Sequence, residues 1–223
     1  MDHIGNFIRA AILTLAALLP VINPPGSAPI FLSMTPGADE ATRTALAWRI
    51  ASNSFLLLVA ATLIGSYVLA FFGLPVSVVR MAGGLLVSAT GWRLLSADQN
   101  TDTDLASATA LPGVSDIRQR SFYPLTFPLT VGPGSISVSV TLGAGTHGVN
   151  VDTAFGLAGT VVGLSIAAAA IYLAYRFATP VLRALGGTGT TILLRLSAFI
   201  LLAVGVQIFC DGLVERFALA VAR

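Results

Sequence analysis

The chain has 223 residues, of which 55% are hydrophobic and only 10% are charged, and its mean hydropathy is +0.86. Soluble domains carry about 25% charged residues, so the composition argues against a soluble globular fold and predicts a polytopic membrane protein. The net charge of +2 without a basic patch argues against a nucleic-acid partner, and the single cysteine, Cys210, excludes an internal disulfide.

The first apolar segment, residues 4–34, contains four prolines and a glycine in the stretch P-V-I-N-P-P-G-S-A-P-I-F, residues 20–31. A straight helix over the uncharged run 10–38 would be about 43 Å long, against about 30 Å for a hydrocarbon core. We therefore predict a break at Asn23–Gly26. Cleavage as a signal peptide would delete this motif, so the segment is interpreted as the first transmembrane helix.

Two further apolar segments follow, at residues 45–72 and 76–96, separated by a tight turn. The third segment carries Arg80 and Arg93 near its ends, where long side chains can reach the membrane interface. A polar stretch at residues 97–120 is interpreted as a linker.

The fourth segment, residues 121–146, repeats the motif of the first. It contains P-L-T-V-G-P-G-S-I-S-V, residues 128–138, with a predicted break near Gly132–Gly134. Four residues match at an offset of 108: Pro20 with Pro128, Pro25 with Pro133, Gly26 with Gly134 and Ser27 with Ser135. Matching breaks in two halves indicate an internal duplication.

The fifth and sixth segments span residues 152–178 and 191–213. Small residues at intervals of four in the fifth segment (Gly159, Gly163 and Ala167) predict a close helix–helix contact, and 186–189 is interpreted as a flexible loop. The predicted fold is all-α, with six transmembrane segments arranged as two inverted three-helix repeats and with segments one and four broken near the midplane. The repeats are 1–96 and 121–223, joined by the linker 97–120.

The arginine distribution predicts the orientation. If every segment crosses, eight arginines lie on one side and four on the other, which places both termini outside the cytoplasm. Re-entrant hairpins at segments one and four would give the same bias with the termini inside. Crossing is preferred because Ile4–Ile22 alone makes about 28 Å of helix.

The two breaks are the predicted substrate site. A restarting helix offers free N–H groups and its positive dipole end to a carboxylate, and the helix before the break offers carbonyls to an ammonium. A kink kept for packing is the alternative for each break, but two matching breaks favour a site. The predicted substrate-binding residues are Asn23, Pro24, Pro25, Gly26, Ser27, Thr130, Gly132, Pro133, Gly134 and Ser135.

Candidates for ion coupling or gating are few. Gln207 and Asp211 lie one turn apart on one helix face, and Arg80 could hold a carboxylate. An interfacial Asp211–Arg216 pair and an interfacial Arg80 are the alternatives. The sequence contains no metal-site, catalytic-triad or phosphate-loop motif, so we expect no metal, no cofactor and no enzymatic activity.

These motifs carry a family resemblance. N-P-P-G-S-A-P-I-F in segment one, Ala82–Gly84, P-L-T-V-G-P-G-S-I-S in segment four, and the run R-L-S-A-F-I-L-L-A-V-G-V-Q-I-F-C-D-G in segment six resemble the MarC family, also called the neutral amino acid transporter family. Pro25 and Ala198 depart from its usual pattern, where a branched apolar residue and a glycine are more usual.

The resemblance implies a bacterial or archaeal inner-membrane protein of six segments that moves small neutral amino acids such as alanine and glycine, driven by protons. The expected partners are this substrate, protons and the lipid bilayer, and a homo-oligomer stays open. A passive channel or facilitator and a non-transporting membrane scaffold are the alternatives.

Overall fold

In the computed structural model the described residues are 2–96, 121–145 and 151–221, and they form helices without a strand. The all-α prediction is therefore confirmed, while the predicted linker 97–120 lies outside the described residues. The helices are α1 (Asp2–Ile22), α2 (Pro24–Ser33), α3 (Glu40–Phe71), α4 (Val76–Ser96), α5 (Ser121–Thr130), α6 (Pro133–Ala144), α7 (Val151–Arg176) and α8 (Ala178–Val221).

Four stretches of the described chain are long and apolar enough to cross a membrane: His3–Ser33, Glu40–Phe71, Val151–Arg176 and Ala178–Ala218. The pair α5–α6, bent by 73°, makes a fifth if it is counted as one span. Helix α4, the predicted third crossing, is not among them, because Arg80 and Arg93 and several small residues reduce its hydropathy. The six-crossing count is therefore not confirmed by length and composition.

Both predicted breaks are present, but they differ in shape. Asn23 interrupts α1–α2 with left-handed backbone angles (φ 48°, ψ 59°), and the two helices still form one apolar span. Helix α5 is irregular, with extended angles at Tyr123 and Phe127, and the chain turns sharply before α6. The sequence motif is thus repeated, whereas the local geometry is not.

The prediction of a flexible loop at residues 186–189 is wrong. Only Gly186 leaves the helical conformation (φ 65°, ψ −177°), and α8 continues on both sides of it. Glycine adopts a positive φ at little cost, and the hydroxyl of Thr190 closes the turn by donating to the Gly186 carbonyl at 2.8 Å. The predicted sixth segment is therefore part of a longer, kinked helix.

A hydrogen bond at one end and an ion pair at the other show that α7 runs parallel to α1–α2. At the start of α7, Asp152 lies 2.6 Å from His3 at the start of α1. At the end of α7, Arg176 pairs at 2.7 Å with Glu40, the first residue of α3, which follows α2. Along the same contact, Gly163 packs against the α1 backbone, which confirms the predicted small-residue face.

The turn from α2 to α3 ends in a helix cap. The carboxylate of Asp39 accepts the backbone N–H of Thr42 at 2.9 Å. Hydrogen bonding by Thr42 lowers the pKa of the Asp39 carboxyl, because the bond favours its charged form. This capping bond fixes the residue at which α3 begins.

Helices α4 and α8 pack antiparallel along a seam of glycines. A β-carbon on Gly84 would meet the backbone of Phe209 and of Gly205, and one on Gly205 would meet Ser88 and Gly84 in return. The same reciprocity joins Gly91 with Leu202 and Gly212 with Met81. In each case, adding 121 to the number of the α4 residue and subtracting 121 from that of the α8 residue converts one contact into its counterpart. The two helices are thus related by a local two-fold axis across the seam.

Candidate functional site

A cavity of about 320 Å³ lies between the two breaks. Eight of the ten predicted substrate-binding residues line it: Asn23, Gly26, Ser27, Thr130, Gly132, Pro133, Gly134 and Ser135. The other two do not: Pro24 is buried and Pro25 is exposed, and neither lines the cavity. Two motifs separated by more than a hundred residues in sequence therefore meet in one cavity.

At the first break, the start of α2 has no free N–H group. Pro24 and Pro25 have none to offer, the Gly26 N–H donates to Asn23 Oδ1 at 3.2 Å, and the Ser27 N–H donates to the Asn23 carbonyl at 3.0 Å. The expectation that both restarting helices present free donors is therefore wrong for α2. The reason is that Asn23 caps the helix with its own side chain.

The same break leaves backbone carbonyl groups without their helical hydrogen-bond donors. In a continuous helix the carbonyls of Pro20 and Val21 would accept from residues 24 and 25, but both of those are proline and lack the N–H. Val21 lines the cavity. The carbonyl of Val21, a residue of the cavity wall, therefore lacks its usual helical N–H partner.

At the second break, α6 begins without a side-chain cap. Gly132 occupies the capping position in an extended conformation, and the first backbone bond of the helix runs from Ile136 to the Gly132 carbonyl at 3.2 Å. No hydrogen bond among the described residues uses the N–H of Gly134 or of Ser135. Both groups carry the positive end of the α6 dipole to the cavity wall.

The three hydroxyl groups at the two breaks are used as donors to the backbone. Ser27 donates to the Asn23 carbonyl at 3.1 Å, and Thr130 donates to the Leu125 carbonyl at 2.6 Å. Ser135 donates to the carbonyl of Gly132 at 2.9 Å. Because a hydroxyl has one proton and two lone pairs, each of the three oxygens can still accept a hydrogen bond.

Arg93 is the charged residue of the described cavity wall, a position that its sequence context did not predict. It lies in the last turn of α4, exposed, near Thr90, which also lines the cavity. None of the ion pairs between described residues includes it. Its position near a segment end suggested an interfacial role.

The predicted coupling residues lie away from the cavity. Gln207 and Asp211 are exposed and bond to each other at 2.8 Å. Arg80 pairs with Glu215 at 2.8 Å, at the start of α4 and the end of α8. The Asp211 carboxylate therefore accepts a hydrogen bond from Gln207, as the one-turn spacing predicted, and does not pair with Arg216.

Comparisons with known proteins agree on one family. Residues 8–217 match the profile described as MarC family integral membrane protein. A UPF0056 membrane protein of Archaeoglobus fulgidus is 27% identical over 96% of both chains, and the UPF0056 membrane protein YvbG of Bacillus subtilis is 29% identical over 90% of this chain and 92% of its own. The UPF0056 inner membrane protein MarC of Salmonella typhimurium is 27% identical over 94% and 96%. No solved structure matches.

Proposed function

Because the chain belongs to the MarC family of integral membrane proteins, we propose that it is a secondary transporter of small neutral amino acids such as alanine and glycine. The substrate binds in the cavity between the two breaks. The protein performs no enzymatic chemistry and uses no cofactor, and its partners are the amino acid, protons and the bilayer.

The observation that carries this proposal is the hydrogen-bonding polarity of the cavity. The α6 side offers the N–H groups of Gly134 and Ser135, and Arg93 adds a positive charge. The α1 side offers carbonyl oxygens, and the hydroxyls of Ser27 and Thr130 offer lone pairs. A carboxylate suits the first set and an ammonium suits the second, so the cavity complements a zwitterion.

The cavity walls favour a small, uncharged side chain. Apart from the polar groups above, the lining is largely aliphatic or proline, with Leu86, Val87 and Leu201 among its members. Gly134 packs against Val87, so a side chain at that position would enter occupied space. A charged side chain would have no opposite charge in the wall other than Arg93.

The inverted repeat with six crossings belongs to the same proposal. It is supported by the two-fold exchange along the α4–α8 seam and by the 108-residue repeat of the break motif. The two breaks differ, since α5–α6 bends by 73° while α1–α2 remains one span. Alternating access in inverted-repeat transporters exchanges the two halves between unlike conformations, and this asymmetry fits one of its two states.

We place the protein in the prokaryotic inner membrane with both termini on the periplasmic side. Arginine counts of eight against four support this orientation. Arg93 then marks the end of the cavity nearer the cytoplasm. In this conformation the cavity would load from that side.

Binding of charge-deleted analogues tests the proposal. Purified protein should be stabilised against thermal unfolding by alanine, since a ligand that binds only the folded state raises its stability. Propionate lacks the ammonium and alaninamide lacks the carboxylate, so each should bind at least about tenfold more weakly, from the loss of hydrogen bonds to a charged group. A Gln207→Ala variant, altered outside the cavity, should keep the same ranking. Equal binding of propionate and alanine would contradict the zwitterion site.

A further inference from the structure

Tyr175 is a buried polar residue that lies outside the wall of the proposed site. It lies near the end of α7, 1% exposed, and does not line the cavity. Its ring stacks on Phe31 of α2, with centroids 4.6 Å apart and parallel planes. Its hydroxyl lies 2.8 Å from Thr130 Oγ1 of α5. One side chain therefore touches both broken segments.

The direction of the hydrogen bonds follows from counting protons. Thr130 has one hydroxyl proton, and the carbonyl of Leu125 at 2.6 Å receives it. The bond between Thr130 and Tyr175 must then be donated by the tyrosine. The result is a chain from Tyr175 to Thr130 to Leu125. It holds the Thr130 oxygen in place with a lone pair still available at the cavity wall.

We propose that Tyr175 is a positioning residue that holds the hydroxyl of Thr130, at the second break, as an acceptor for the ammonium group of the substrate. This inference rests on the proposed transport of amino acids and assigns the ammonium end of that site. Tyr175 acts through Thr130, without touching the substrate. By spanning α2 and α5 it also fixes the distance between the two breaks.

Removal of the hydroxyl alone separates positioning from packing. Tyr175→Phe keeps the ring and its stacking on Phe31 and deletes only the donated hydrogen bond. Tyr172→Phe is the matched control, since Tyr172 lies three residues earlier on α7 and packs edge-to-face against Trp48, away from the cavity. KM and the maximal rate for alanine uptake would be measured in proteoliposomes containing equal amounts of folded protein.

We expect Tyr175→Phe to raise KM by about fivefold, the effect of one ordinary hydrogen bond, with the maximal rate within about twofold of wild type. Tyr172→Phe should leave both parameters unchanged. In a Thr130→Val background, which lacks the acceptor, Tyr175→Phe should change KM by less than about twofold, because the two groups act as one unit.

The results that would overturn this role are distinct from those that would overturn transport. If wild-type protein takes up alanine and Tyr175→Phe leaves KM unchanged, or shifts it equally with and without Thr130, Tyr175 only fills space. If the wild-type protein moves no amino acid, the proposed function fails and this role fails with it.

Discussion

Gly84→Ala and Gly205→Ala should each lower the free energy of unfolding by about 1–3 kcal/mol, the usual cost of forcing extra atoms into a packed interface. A β-carbon on Gly84 would lie 2.7 Å from the Gly205 carbonyl oxygen, and one on Gly205 would lie 2.9 Å from the Gly84 carbonyl oxygen. Both obstacles are backbone atoms, which cannot rotate away as a flexible side chain would. The two helices would have to separate.

The control is Gly156→Ala in α7, where a β-carbon would meet nothing within 4 Å. Alanine is the better helix former, so this variant should be unchanged or stabilised by up to about 1 kcal/mol. Unfolding would be followed by circular dichroism in mixed micelles. Because Gly84 and Gly205 exchange under the two-fold relation, their effects should be similar in size. A tolerated alanine at either position, or strongly unequal losses, would contradict the symmetric seam.

Asn23→Ala should lower the free energy of unfolding by about 2–3 kcal/mol. About 1 kcal/mol comes from the lost cap of α2, because the Gly26 N–H loses its acceptor. A further 1–2 kcal/mol, roughly, comes from forcing alanine into the left-handed backbone conformation of residue 23. The variant therefore combines two separable costs.

Asn23→Gly separates these costs. Glycine adopts the left-handed conformation freely and replaces a capping asparagine at a cost of only a few tenths of a kcal/mol. Thermal unfolding of the two variants side by side would measure the difference. If the glycine variant is as unstable as the alanine variant, the backbone conformation at residue 23 does not contribute as described.

The sequence predicted the features that depend on local backbone chemistry. Prolines lack the N–H group that a helix needs, so the sequence predicted both breaks. The 108-residue repeat further indicated that the two breaks are related. The close contact at Gly163 followed from the spacing of small residues. These signals are local, so they can be read without the tertiary structure.

Other features depend on partners that the sequence does not pair. The start of α2 was expected to offer free donors, but the Asn23 side chain takes the available one. The role of Tyr175 requires that α2, α5 and α7 meet at one point. Arg93 was placed at the interface because its distance from the breaks in sequence gave no hint that it lines their cavity.

The loop predicted at residues 186–189 failed for a different reason. Four residues with three glycines are typical of a flexible connection, but one glycine with a positive φ was enough to redirect α8. The remaining glycines stayed helical. Composition indicated a break here but not how short it would be.

Uptake and efflux of labelled alanine and glycine in proteoliposomes, with and without an imposed proton gradient, is the most direct test of a transport site at the paired breaks. Wild type would be compared with Asn23→Gly, which keeps the backbone of the break and removes the side chain from the cavity. We expect gradient-dependent flux in the wild type and a clear loss of flux in the folded variant. Flux independent of the gradient would indicate a facilitator. No flux of either solute through well-folded wild-type protein would contradict the proposed function.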